Sequence, residues 1–392
     1  MAVTKVSNIG IDASLVQWQS VKTANFNAKA FEGYWVDTSS AAITVTLPSS
    51  PNVGDMIVIG DYASNFNTNG CVVALNGSKL LGTTVNGKLS TQGQTTALIY
   101  ADSTKGWLIS SSGLQSEITQ PTFISASGGT ETTVGNFKFH AFLSSGTFTV
   151  SSLGNSAGGG STIEYLVVGG GGSGGTGSYG TGAQSNGGAG GAGGTVNNTS
   201  FTVSAQAYTI TIGAGGAGVG PQNNAGNDGN NTTAFGATGG YGHNNSGMSG
   251  GASGAPQSNS GGGSSTYAGG GGGGAGGAGQ TPSGNTKADG GVGLQYSNFS
   301  QFGAEAQSGA DNITLTPTAN GFFAGGGQGG GAGGTNARAA GGGGAGYLDT
   351  DDSAGRMAGV PNTGGGGAGG YAQSQRSGNG GSGVVLVRYQ FQ

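Results

Sequence analysis

Gly187-Gly-Ala-Gly-Gly-Ala-Gly-Gly194 decides how this chain must be built. Glycine has no side chain to bury and loses the most backbone entropy on ordering, so such a run is either a disordered linker or backbone packed on backbone. The run is not isolated. Gly213-Ala-Gly-Gly-Ala-Gly218, Gly341-Gly-Gly-Gly-Ala-Gly346 and Gly364-Gly-Gly-Gly-Ala-Gly-Gly370 repeat its texture, and glycine is equally dense over 269–279 and 325–334. In all, 93 of 392 residues are glycine, against about 7 % in an ordinary chain.

Two features favour order. Ala is nearly the sole side chain admitted inside the blocks, whereas flexible linkers carry far more Ser. Apolar strands also bracket the region: Ile163-Glu-Tyr-Leu-Val-Val168 leads in, Phe201-Thr-Val203 and Tyr208-Thr-Ile-Thr-Ile212 follow the first block, and Val384-Val-Leu-Val-Arg-Tyr389 closes it. Collagen needs a strict Gly-X-Y repeat rich in proline, and this chain has 8 Pro and consecutive Gly. A bundle of polyproline-II helices fits better, because glycine on several faces lets extended chains approach until backbone N–H and C=O groups pair between them. At ~3.1 Å per residue each block is a rod of roughly 20 to 30 Å, with the intervening segment as a loop at its end. Long loops on a β-sandwich and a disordered spacer are the alternatives.

Outside the blocks the chain alternates in the manner of strands. Ile43, Val45 and Leu47 share one face, Asp55-Met-Ile-Val-Ile-Gly60 is a continuous apolar strand, and Asn76-Gly77 and Asn86-Gly87 read as hairpin turns. Phe137, Phe139 and, after a slip at His140, Phe142 supply a sandwich core. The expected fold class is all-β. It has a small β-module over 1–115, a β-sandwich base over 116–168, a glycine-rich polyproline-II rod and loop domain over 169–383, and a closing strand over 384–392 that returns to the base. Both ends of the rod region are then expected to lie close together.

Composition excludes several function classes. Charged residues are 7 % of the chain and the net charge is -4, so surface polarity must come from Asn, Ser, Thr and Gln. The 12 Lys+Arg are scattered, which leaves no electrostatic footprint for nucleic acid or an anionic membrane. No apolar run reaches the length of a membrane span, and Met1-Ala-Val-Thr-Lys-Val-Ser-Asn8 lacks a signal-peptide apolar region, so synthesis in the cytoplasm without export by the usual signal is expected. Cys71 reads as a buried strand thiol, and a single cysteine forms no intrachain disulfide. His140 and His243 have no ligand partners at metal spacing, and no cofactor is expected.

Catalysis is not expected either. Asp349, Asp351 and Asp352, within Tyr347–Ser353, are the sole acidic cluster. A solvated acidic loop is the favoured reading, with a Ca²⁺ site and paired catalytic carboxylates behind it. No Gly-Lys-Ser/Thr ends a glycine run, and no Gly-x-Ser-x-Gly sits on a strand-to-helix turn with a His partner.

Gly33-Tyr-Trp-Val-Asp-Thr38, Ile43-Thr-Val-Thr-Leu-Pro48, Pro51-Asn-Val-Gly-Asp55, Ile59-Gly-Asp-Tyr62 and Lys105-Gly-Trp107 resemble a β-module of tail-fibre and other virion proteins of tailed phages, notably those of marine and cyanobacterial hosts. Tyr165-Leu-Val-Val-Gly-Gly-Gly-Gly172 and Gly383-Val-Val-Leu-Val-Arg-Tyr389 resemble the borders of glycine-rich phage-fibre domains, and the composition is similar to polyproline-II-sandwich tip adhesins. The N-terminal module and closing strand depart from those adhesins. The resemblance implies a virion fibre protein, located on a tail fibre or other external appendage and partnered by other virion proteins and a host-surface receptor, a glycan or outer-membrane protein. A capsid decoration or head fibre is the alternative. An ice-binding rod bundle would call for a regular Thr or Ala array, which the irregular loops do not offer.

Loops between rods are a scaffold for recognition. The receptor-contact candidates are Tyr179, Tyr241, His243, Asn244, Asn245, Tyr267, Tyr296, Phe299, Phe302, Tyr347, Asp349, Tyr371 and Arg376, because stiff aromatic faces beside amides bind at low entropic cost. Phe322 and Phe323, abutting a rod, read as caps of the bundle instead. Trp18, Phe26, Phe31, Tyr34 and Trp35 crowd a short stretch and are the candidate oligomer contacts. Three copies around an axis could bury them, so a homotrimer is expected.

Overall fold

The structure is a computed structural model that describes residues 16–110, 118–177, 179–180, 183–221, 224–245, 247–308, 317–346, 353–371 and 376–392. It is nearly all β. Two compact units divide it: Met1–Ile124 with Leu153–Ser161 and Phe391–Gln392, and Ser125–Ser152 with Thr162–Gln390. The strands expected as a separate base and the glycine rods therefore form one body.

In the first unit the strands are β1 (Gln17–Trp18), β2 (Phe26–Asn27), β3 (Glu32–Val36), β4 (Ile43–Thr46), β5 (Met56–Asp61), β6 (Cys71–Ala74), β7 (Gly87–Leu89), β8 (Thr95–Asp102), β9 (Gly106–Ile109) and β10 (Ile118–Thr119). They make two five-stranded sheets, ordered β1-β3-β5-β8-β9 and β10-β7-β6-β4-β2. The first six strands alternate between the sheets and pair in parallel with their neighbours, so the chain winds as a coil. Parallel neighbours need a crossover, and here the crossover is the strand in the opposite sheet. This corrects the expected series of hairpins. Asn76 and Gly77 do form a tight left-handed turn, φ 49 and 90, but it lies inside the longer connection from β6 to β7. A period of two is common to hairpins and coils, and therefore could not separate them.

Tyr34, Val36, Ile59, Phe66, Leu98 and Trp107 are buried between the sheets. Cys71 joins them, and burial pushes its thiol up to about 12. The crowding argument for three copies needs correction here. Tyr34 is 2 % exposed and Phe26 packs on it with ring centroids 4.6 Å apart, so one protomer swallows both. Phe31 is half-buried at a left-handed φ of 63. Trp18 and Trp35 remain outside, stacked at 4.7 Å, and lie over Gly33 and Gly60, where any Cβ would collide with the indoles.

In the second unit the longer strands are β11 (Ser125–Ser127), β12 (Thr130–Val134), β13 (Phe137–Phe142), β14 (Gly146–Ser152) and β15 (Thr162–Val168). Then come the short β16 (Tyr179–Gly180) and β17 (Ala183–Gln184), followed by β18 (Thr195–Thr202), β19 (Ala207–Ile210), β20 (Thr232–Ala234) and β21 (Ala237–Gly239). Two-residue pairs β22 (Leu294–Gln295), β23 (Gln307–Ser308), β24 (Phe322–Phe323) and β25 (Ala337–Arg338) lie among the rods, a single turn α1 (Ser353–Met357) follows, and β26 (Val384–Gln390) closes the unit. The main sheet runs β12-β13-β26-β15-β18, with Val168 opposite Val384, so the chain enters and leaves the rods at one point. β13 pairs without a slip at His140. Instead both faces of the sheet are covered. Phe139, Ala141, Leu166 and Leu386 face Phe299, Phe323 and Ala192, while His140 and Phe142 meet Phe148 from the sheet β11-β14-β19 on the other side.

The glycine blocks are rods whose hydrogen bonds repeat every third residue. From the first rod, Gly169, Gly172 and Gly175 donate to Gly194, Gly191 and Gly188; Gly170, Ser173 and Thr176 donate to Asn230, Asn227 and Asn224; Gly171 and Gly174 donate to Gly381 and Gly378, all at 2.8–3.1 Å. Three faces thus serve three antiparallel neighbours, the signature of a helix with three residues per turn. In rod 187–194, Gly187, Gly190 and Gly193 donate to Gly370, Gly367 and Gly364, and Gly188, Gly191 and Gly194 to Gly247, His243 and Gly240. A Cβ on Gly190 would fall closer than 3.0 Å to the carbonyl oxygen of Gly172, and one on Gly191 to that of Ala252. Ala189 and Ala192 occupy the third face, which bonds to Gly270 and Gly273 and has room for a methyl. The Gly-Gly-Ala repeat is this geometry written in sequence.

Candidate functional site at the far ends of the rods

The first rod leaves β15 and runs away from the sheets, which sorts every loop by rod direction. The described residues 183–187, 218–221, 224–226, 247–249, 263–268, 281–286, 331–336, 370–371 and 376–377 gather at the far end, while the ends near 194, 240, 255, 275, 324 and 364 lie beside the sheets. Side chains knit the far loops together. The Asn186 side-chain amide donates to the Tyr267 carbonyl. Thr176 Oγ1 donates to Gly220 O at 3.1 Å and accepts from Asn224 N at 3.1 Å. Val219 N donates to Ser377 Oγ at 2.9 Å, and Ser265 Oγ donates to Gly284 O.

Tyr267, Tyr371 and Arg376 reach this end. Tyr267 is 44 % exposed, Tyr371 half-buried and Arg376 exposed. Tyr179 arrives with them through its backbone pairing to Gln184. Tyr347 and Asp349, with the rest of the acidic loop, lie outside the described residues. Tyr241, His243 and Asn244 are on the flank of the bundle rather than at its end, beside Asp228 and Asn231.

Two groups of candidates are structural. Phe299 is 1 % exposed and packs edge-on against Phe139, Phe302 is part of the same cluster, and Tyr296 hydrogen-bonds Thr195 Oγ1 at 2.7 Å, with burial raising its phenol above the usual range. They fasten rods to sheet because three apolar rings beside glycine backbone find the nearest apolar wall, which is β13. Asn245 is 1 % exposed: its Oδ1 accepts from Gly226 N at 2.6 Å and its amide fills the space where a Cβ on Gly175 would lie.

The arrangement offers contact chemistry. Among the described residues no group of three His, Cys, Asp or Glu could hold a metal ion, and no helix is long and apolar enough to cross a membrane. A cavity of about 300 Å³ on the second unit is lined by Gln280, Asp289, Gln307 and Arg338, but its charged groups are engaged internally. Asp289 accepts from Gln328 Nε2 at 2.8 Å, and Arg338 donates to the carbonyls of Gly343, Ala358 and Arg356, with burial lowering its guanidinium to about 10.

Residues 143–390 match the family model described as a glycine-rich domain. The chain belongs to the glycine-rich domain family. The match begins just before β14 and ends on the last residue of β26, so this family's domain comprises the rods together with most of the sheets that hold them. No curated protein matches the chain.

Sequence reasoning missed Asn186, Asp228 and Asn231. Each is an Asn or Asp in a run of small polar residues, and no pattern marks which amide turns inward. Arg338 carried a fainter signal: an arginine flanked by alanines, Ala337 and Ala339, is poorly placed for a solvated surface.

Proposed function

We propose that the protein is a fibre protein of a tailed-phage virion whose far rod ends bind a receptor on the host cell surface. The observation that carries this reading is the convergence of the loops. Rods of backbone packed on backbone form a stiff support, each far-end loop can vary without disturbing a side-chain core, and the antiparallel arrangement brings alternate loops together at the end away from the sheets. Tyr267, Tyr371 and Arg376 are the contacts expected to matter most there, and Trp18 and Trp35 on the first unit are the surface offered to other virion proteins or to a second copy.

Adsorption of the fluorescently labelled full chain to a panel of bacterial strains tests the reading. Binding to particular strains, weakened tenfold or more by the pair Tyr267→Ala and Arg376→Ala, is expected, since aromatic and arginine anchors dominate such contacts. Absence of adsorption to every strain, together with retention of the chain on capsid shells, would assign it to capsid decoration instead.

A further inference from the structure

The flank of the bundle carries a cluster of polar and aromatic side chains apart from the far-end loops. Rods 226–231 and 240–245 run side by side, with Gly229 N donating to Gly242 O at 3.0 Å, and each buries every third residue: Gly226 and Gly229 on one, Gly242 and Asn245 on the other. The outward positions carry Asp228, Asn231, Tyr241, His243 and Asn244. Three of these side chains are each tied to backbone through one atom. Asp228 Oδ1 accepts from Asn244 N at 2.6 Å, Asn231 Oδ1 accepts from Tyr241 N at 2.9 Å, and Asn244 Nδ2 donates to Gly226 O at 2.8 Å. Their second atoms, Asp228 Oδ2, Asn231 Nδ2 and Asn244 Oδ1, have no partner among the described residues. Beside them the Tyr241 and His243 rings meet edge to face at 5.0 Å and 62°.

We propose that this flank binds a neutral oligosaccharide. Sugar hydroxyls donate and accept at once, and the open atoms supply both roles, acceptors at Asp228 and Asn244 and a donor at Asn231. Tyr241 and His243 supply the aromatic surface that the apolar C–H face of a pyranose covers. The backbone ties hold the polar groups in place before binding, so little rotamer entropy is lost on complex formation. Asp228 and Asn231, like Tyr241 and Asn244, are one polyproline-II turn apart, about 9 Å, which suits two or three linked rings. No Lys or Arg belongs to the patch and Asp228 is exposed, so an acidic sugar is disfavoured. An adhesin has use for such a site, but the inference rests on the flank's own chemistry.

Titration of the full chain with glucose-, galactose- and mannose-based tri- and tetrasaccharides, with sialyllactose as the acidic control, tests this by saturation-transfer NMR and calorimetry. At least one neutral saccharide is expected to bind, with transfer from aromatic protons. Asp228→Asn keeps the bond to Asn244 N and is expected to weaken binding about tenfold, as loss of a charge-assisted hydrogen bond does, and His243→Ala is expected to weaken it with an unchanged melting temperature. No binding of any neutral saccharide, equal binding by both variants, or sialyllactose bound as tightly would overturn the proposal. Strain adsorption of the unmodified chain separates the two ideas: adsorption without binding of any neutral saccharide leaves the far-end reading standing and removes this one, whereas saccharide binding lost in the flank variants while their adsorption is kept supports this one and leaves the far-end reading standing.

Discussion

Trp107 and Gly190 are both fully enclosed, and for opposite reasons. Trp107 is surrounded because its indole fills the space between two sheets. Gly190 is surrounded because it has nothing to put there, and neighbouring backbones have closed to hydrogen-bonding distance on its faces, Gly190 N donating to Gly367 O at 2.8 Å and Gly190 O accepting from Gly327 N at 3.2 Å. One core is made of side chains with the backbone at its edge. The other is made of backbone, with side chains admitted on one face in three. The difference teaches that "core" is a matter of satisfied groups and close packing, which apolar side chains achieve in one unit and peptide groups in the other.

Substitutions in opposite directions should therefore be damaging in the two places. Trp107→Ala empties the largest buried volume of the first unit and is expected to cost about 3–5 kcal/mol, as other aromatic truncations in cores do. Hydrogen exchange should show lost protection in β3, β5 and β8 while the rod amides keep theirs. If the rods lose protection equally, the two cores do not stand independently.

Gly190→Ala adds a single methyl, yet that methyl would fall on the Gly172 carbonyl. Overpacking of this kind costs about 1–3 kcal/mol, and here the offending atoms are backbone that cannot rotate away. The control is next door: Ala189 and Ala192 already carry a methyl on the permitted face. A melting temperature unchanged by Gly190→Ala would mean the rods breathe enough to accept side chains anywhere.

The rods were legible in the sequence because a backbone core leaves a strict signature. Positions where a neighbouring carbonyl stands in the place of a Cβ must be glycine, and the spacing of the tolerated alanines in 187–194 repeats with the helix itself. The return of β26 to β15 was legible from apolar strands at both borders. What was not legible follows from signals that are shared. Alternation at Ile43, Val45 and Leu47 is the same for a coil and a hairpin, so the parallel winding of β1 to β6 stayed hidden. Phe299 and Tyr267 are both aromatics in glycine-rich loops, and whether each faces β13 or water depends on which end of a rod its loop occupies. Rod direction is set by long-range hydrogen bonds that no local pattern reports. Asn245 and Asn244 are adjacent and chemically identical, yet a threefold helix turns one inward and the other out.

Side-chain cores can bury ionisable groups, and this gives acid a way to separate the sheets from rod 187–194, which has none. His140 is enclosed between Phe148 and Tyr389, its Nδ1 2.7 Å from Gly128 O and its Nε2 3.0 Å from Tyr389 Oη, with Glu131 at 3.9 Å and Lys138 two residues away along the strand. Burial lowers its pKa below that of a free imidazole, outweighing the bond to Gly128 and the charge of Glu131. The unfolded chain therefore binds a proton at higher pH than the folded one. Its contribution to stability is whole above pH 6.5 and is lost progressively as pH falls below that value toward the lowered folded pKa. Exchange measured from pH 7.5 to 5 should show β13 and β26 loosening before the amides of 187–194, with the pH dependence flattened in His140→Gln. Simultaneous loosening would place the acid-sensitive group elsewhere.

The smallest effect expected is also the one that reverses sign. Gly277 lies at the margin of the bundle, outside the left-handed region, and a Cβ there would meet nothing closer than Val292 Cγ2 at 3.6 Å. Its N–H bond to Gly274 O at 3.3 Å does not involve the added atom. Gly277→Ala should thus restrict the unfolded chain without straining the folded one, and raise stability by about 0.4–1 kcal/mol. The same substitution is then destabilising at Gly190 and stabilising at Gly277, and the sign is fixed by whether a carbonyl oxygen stands where the methyl must go. Calorimetric melting of the two variants beside wild type measures this directly. Destabilisation at both would show that the rods demand glycine for its conformational freedom rather than for close approach.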